Sequence, residues 1–79
     1  MIFCKLKEKQ EDRAIYHVGS LISDMSGEVI FFKGEKAPVL SKQAEKYPVL
    51  ESRIMQVYTK YHHELKNGVF PEKMAYEIG

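Results

Sequence analysis

Histidine and glutamate bind metals and move protons near neutral pH, and they stand side by side in TKYHHELKNG, residues 59–68. Successive residues of a helix are rotated by roughly 100°, so His62 and His63 cannot both face one ion. Metal-binding helices place two histidines four positions apart, as in H-E-x-x-H. Here Tyr58 and Lys66 flank His62 at that spacing, and Thr59 and Asn67 flank His63. The plainer reading is the tail of a packing helix. His63 falls opposite the apolar stripe with Gln56, Lys60 and Asn67, where a positive charge suits a helix C-terminus. His62 lies on the flank of the stripe. No metal and no cofactor are expected from this spacing.

Cys4 could act as a nucleophile with His17 or His62 as base and an acid such as Asp24. No nucleophile-elbow glycines surround it. Between Ile2 and Leu6 it reads instead as a small core residue. Phosphate-binding glycine loops, paired carboxylates and dinucleotide fingerprints are absent from the sequence. The expectation is therefore a non-enzyme. An enzymatic or small-ligand site between subunits, near Cys4 or the histidines, is a further alternative.

A third group is basic. Phe3, Lys5, Lys7 and Lys9 alternate onto one strand face, with Arg13 nearby. Basic residues beside an aromatic on an open sheet can bind single-stranded nucleic acid. Against this stand Glu8, Glu11 and Asp12 close by and a net charge of only +1. Lysines on a strand also prevent edge-to-edge aggregation.

These residues must be positioned by a small set of elements. Residues 2–8 alternate as a half-buried strand, with Ile2, Cys4 and Leu6 on one side. Residues 13–23 form a second extended run, with Gly19 as a candidate bulge, and EVIFFK, residues 28–33, a third. Asp24 and Gly27 suit the first and fourth positions of a type I turn, with Gly27 left-handed in a Met25-Ser26-Gly27 hairpin loop. That register sets Ile22 against Ile30 and Leu21 against Phe31, with an unfavourable Asp24–Glu28 pair. Ser41 can cap a short helix through about Tyr47, where Pro48 breaks the chain. The main helix spans about 49–66, with Leu50, Ile54, Val57, Tyr58, Tyr61 and Leu65 on one stripe and Asn67-Gly68 as the stop. Met74, Tyr76 and Ile78 alternate in a last strand, placed beside the first. The expected fold is α+β: a small antiparallel sheet in β-β-β-α-β order, a three-strand meander plus a C-terminal strand, with one amphipathic helix on one face.

One helix covers only one sheet face, yet the second and third strands are apolar on both. The pattern groups Tyr16, Val18, Ile22, Ile30 and Phe32 on one face against Ile15, Leu21, Val29 and Phe31 on the other. Met55, Tyr58 and His62 add a flank to the helix stripe. Surplus apolar surface of this kind marks an interaction site. The sequence thus points first to a non-enzymatic protein–protein interaction or assembly module, self-associating as a homodimer or docking a protein partner through Val29, Phe31, Met55, Tyr58 and His62. The alternative is a single-stranded nucleic-acid-binding domain using Phe3, Lys5, Lys7, Lys9 and Arg13.

Composition bounds both readings. Seventy-nine residues form one small domain, 1–79, with 44% hydrophobic and 29% charged residues, ordinary for a folded chain. A single cysteine excludes an intramolecular disulfide and fits a reducing compartment. The start MIFCKLKEK turns charged too soon for a signal peptide, and no apolar run is long enough to span a membrane, so a cytoplasmic protein without a membrane partner is expected.

Overall fold

A computed structural model describes residues 1–77. Five antiparallel strands form one sheet: β1 (Ile2–Lys9), β2 (Arg13–Gly19), β3 (Gly27–Phe32), β4 (Val39–Lys42) and β5 (Lys73–Tyr76), in the spatial order β4-β3-β2-β1-β5. Two helical segments, α1 (Glu51–Lys60) and α2 (His62–Lys66), lie on one face. The fold is the expected small α+β sandwich, and the C-terminal strand pairs with the first, setting Ile2 against Tyr76 and Cys4 against Met74. Ile78 lies outside the described residues.

The core fills the space between sheet and helices. Ile2 and Cys4 from β1, Ala14, Tyr16 and Val18 from β2, Val29 and Phe31 from β3, and Met74 from β5 meet Ile54, Val57 and Leu65 from the helices. Tyr16 and Phe31 pack edge to face with ring centroids 5.4 Å apart, the arrangement favoured by the ring quadrupoles. The Tyr16 hydroxyl is deeply enclosed and donates to the Pro71 carbonyl at 2.5 Å, so the buried polar tip is satisfied. The helical run breaks once, at Tyr61 (φ −107°, ψ 15°). It ends in a Schellman arrangement: Gly68, at φ +78°, sends its N–H to Leu65, and Val69 sends its own to Glu64. Asn67-Gly68 is thus the stop the sequence announces.

Four local expectations are corrected. Residues 39–42 are a fourth strand, and no helix spans 41–47. Side chains take the backbone groups a helix would have satisfied. Gln43 Oε1 accepts from the N–H of Ala44 and Val49, and Asp24 Oδ2 accepts from those of Lys46 and Tyr47. The β2–β3 register also differs. Ile15 faces Ile30 and Ala14 faces Phe31, because β2 already ends at Gly19 and residues 20–26 form the connection. This places Tyr16, Val18, Val29 and Phe31 together under the helices and Ile15, Ile30 and Phe32 on the opposite face.

Gly27 is no left-handed turn residue. It lies in β3 opposite Val18, where an added Cβ would meet the Val18 carbonyl oxygen at 2.9 Å and that of Lys42 at 3.1 Å. Close backbone approach, not positive φ, demands glycine there. The register shifts, finally, fall in β1 between Leu6 and Glu8 and in the β3–β4 pairing between Glu28 and Val29, not at Gly19.

Candidate functional site

Among the described residues no helix covers the other face of the sheet, and the strand pairing assembles a row of charge across it. Lys73 of β5 faces Lys5 of β1, Lys5 faces His17 of β2, His17 faces Glu28 of β3, and Glu28 faces Lys42 of β4. Directly opposed residues on an antiparallel pair share a face with Cβ atoms about 5 Å apart. Glu28 is the only acid in this row of five. Lys7 also reaches it, Nζ to Oε2 at 3.0 Å. The Lys7 hydrogen bond holds the Glu28 carboxyl below the usual range, with Lys42 and His17 adding to the effect. Lys5 and Lys73 oppose each other at the other end. Neither takes part in the ion pairs found among the described residues, which join Lys7 to Glu28, Arg13 to Asp12 and His62 to Glu35.

Apolar side chains flank the row on both sides. Toward one end Phe3 stands between Ala75 and Gly19. Toward the other, Ile15, Ile30 and Val39 form a second row, followed by Phe32. The Phe32 ring is capped by cations: the Arg13 guanidinium sits 5.0 Å and Lys36 Nζ 4.3 Å from its centroid. Arg13 is held in turn by a two-point contact with Asp12, both distances 3.1 Å. Among the described residues no cation caps Phe3 in this way. It lines a cleft of about 420 Å³ with Ile22 and Met25 from the 20–26 connection, Ala75, and the two lysines, Lys5 and Lys73. That volume falls in the range of small-ligand pockets.

The basic group expected from sequence is brought together in part. Phe3, Lys5 and Lys7 serve the open face. Lys9 does not, because the bulge reverses the alternation and pairs Lys9 with Ala14, a residue of the helix-covered side. Lys73 and Lys42 join the site without having been singled out, and His17 joins it in place of the role considered for it, as a base beside Cys4. They are distant in sequence, and only strand registers place them in one row. The single signal available was the neighbouring placement of the first and last strands.

The apolar group fares differently. Val29 and Phe31 are both 0% exposed, so neither reaches a surface of the folded chain. Met55 is exposed, whereas Tyr58 is half-buried against the core and touches the His62 ring edge-on.

The chemical candidates do not converge. Cys4 faces the helices beside Val18, while His17 points to the open face, and burial pushes the Cys4 thiol up to about 12, so it is protonated at neutral pH. Asp24 is committed elsewhere, accepting from Ser26 Oγ at 2.5 Å as well as from two amides. His62 Nε2 lies 2.9 Å from Glu35 Oε2, and His63 is exposed. Among the described residues no three His, Cys, Asp or Glu side chains gather where a metal could be held. Nor, among them, is any helix long and apolar enough to cross a membrane. No protein-family model, curated protein or solved structure matches this chain.

Proposed function

We propose that the chain is a non-enzymatic binding module that docks a negatively charged partner on the uncovered face of its sheet. The observation that carries this reading is the row Lys73–Lys5–His17–Glu28–Lys42. Like charges directly opposite each other on paired strands destabilise a sheet. Lys5 against Lys73 is such a pair, and an anion bound between them relieves the repulsion. Charge collected on one face also steers a partner even when the whole chain is almost neutral, as here at +1. The buried, protonated Cys4 and the scattered histidines support binding over catalysis.

Retention on immobilised heparin tests the reading. The protein should elute only on raising the salt, and the double variant Lys5→Gln/Lys73→Gln should elute clearly earlier. Lys9→Gln/Lys46→Gln loses the same charge off the open face and should elute close to the parent. Equal shifts for both doubles would show that net charge alone matters and would remove the site.

Self-association is a second reading, favoured by the two edges of the sheet. The β5 edge is covered: Lys60 Nζ donates to the Ala75 carbonyl at 3.0 Å, and the Ala75 N–H reaches the Tyr61 hydroxyl at 3.4 Å. β4, at the other edge, pairs on one side only, with β3. A groove beside it is lined by Pro38, Leu40, Ile54 and Met55. Strand addition at that edge would make a homodimer with Met55 in its contact.

A further inference from the structure

The open face offers more than positive charge, because the pair without an acid between them, Lys5 and Lys73, borders the apolar cleft that holds the uncapped ring of Phe3. We propose that the partner is single-stranded nucleic acid and that this cleft takes one of its bases, with the adjoining phosphate between Lys5 and Lys73. The inference rests on the anionic-partner reading and deepens it.

Three features favour nucleic acid over an acidic peptide. Lys5 and Lys73 line the cleft together with the apolar walls of Phe3, Ile22, Met25 and Ala75, so an acidic side chain that pairs with the lysines leaves those walls unfilled, whereas a base presents a flat face to them. The two lysines line the same cleft, which places the anion next to the flat group, as in a nucleotide. The face itself is broad: five strands at about 4.8 Å spacing make a platform about 19 Å wide. That width holds on the order of four nucleotides, the lower end of single-strand site sizes. Lys42 and Lys7 stand at the far end of the row, where Glu28 offsets part of their charge. The geometry therefore makes Lys5 and Lys73 the principal phosphate contact and Phe3 the principal base contact. A duplex, whose bases are stacked and paired, cannot fill the cleft.

Fluorescence anisotropy on the full chain tests this with four labelled probes: oligothymidylate of about twelve nucleotides, an abasic strand of the same length, the corresponding duplex, and an acidic peptide of matched charge. Oligothymidylate should bind most tightly, with log affinity falling against log salt at a slope of about −2, as expected for about three phosphate contacts. Lys73→Gln should flatten that slope by about 0.7 and weaken binding on the order of tenfold at low salt. Phe3→Leu keeps an apolar side chain under the cleft but removes the ring. It should weaken oligothymidylate by about tenfold and leave the abasic strand unchanged.

Equal affinity for the oligothymidylate and the abasic strand would overturn the base pocket. Tight, lysine-dependent binding of the acidic peptide with none of the oligonucleotide would overturn the inference and leave the anionic-partner reading standing. Failure of every probe would remove both. Backbone amide spectra of each variant establish that it is folded, and Ile22→Ser, at a position 74% exposed, offers a second cleft variant that does not touch the core.

Discussion

Single residues in this chain hold the fold by satisfying backbone groups far away in sequence. Asp24 is the clearest case. Only 7% exposed, it binds Ser26 and the amides of Lys46 and Tyr47, so it ties the β2–β3 connection to the segment leading into α1. The Ser26 hydroxyl and then the Tyr47 amide hold its carboxyl below the ordinary range. A depressed folded value means that the ionised form stabilises the native state. That contribution is complete above the unfolded value of about 4 and is lost as pH falls through the folded value. Asp12 and Glu28 are depressed as well and act in the same window. The urea midpoint should thus fall as the solution is acidified below about pH 4, and Asp24→Asn should show a smaller fall; an identical acid limb in the variant would deny Asp24 this role. Tyr16 gives a second test. Tyr16→Phe leaves the ring against Phe31 but orphans the Pro71 carbonyl. It should cost about 1 kcal/mol in chemical denaturation, and no loss would mean that water replaces the hydroxyl.

At the scale of elements, pairing decides what each strand presents. The β1 bulge between Leu6 and Glu8 keeps Lys5 and Lys7 on the open face and sends Lys9 to the other. Gly27 is required by the close passage of the β2 and β4 backbones. Gly27→Ala should lower stability by about 1–3 kcal/mol as those strands are pushed apart, with the loss seen in the unfolding midpoint; an unchanged midpoint would place the three backbones further apart than described. The Lys5–Lys73 pair yields a prediction of opposite sign. Lys73→Glu turns a repulsive cross-strand pair into an attractive one, so the fold should gain about 0.2–1 kcal/mol at low salt while retention on heparin weakens. A variant both less stable and more weakly retained would show that Lys73 matters for packing, not for an anion.

The whole molecule has one face closed by helices and one left open, and its two sheet edges are unequal. Lys60 and Tyr61 cover β5, whereas β4 pairs only with β3 among the described residues. Sedimentation equilibrium distinguishes the two assemblies. A monomer at high concentration fits the binding-module reading alone. A dimer weakened by Met55→Lys but unaffected by Lys5→Gln/Lys73→Gln would place self-association at the β4 edge and leave the open face free for its partner.

The sequence by itself determined the elements whose causes are local. Alternation marked β1 and β5, a stripe repeating every three to four residues marked α1 and α2, and Asn67-Gly68 marked their end, because each signal lies within one turn or a few strand positions. It also singled out Phe3, Lys5 and Lys7 as a possible binding group. Tertiary structure decided everything that depends on register. Val29 and Phe31 went to the core instead of an interface, since pairing Ile15 with Ile30 carries Tyr16, Val18, Val29 and Phe31 to one side together. Residues 39–42 became a strand because β3 had an unpaired edge to offer and Gln43 and Asp24 satisfied the backbone that follows. Lys73, His17 and Lys42 joined Lys5 only through four separate strand pairings. A one-residue slip in any of them would turn those side chains to the opposite face, and no local pattern in the chain records which register wins.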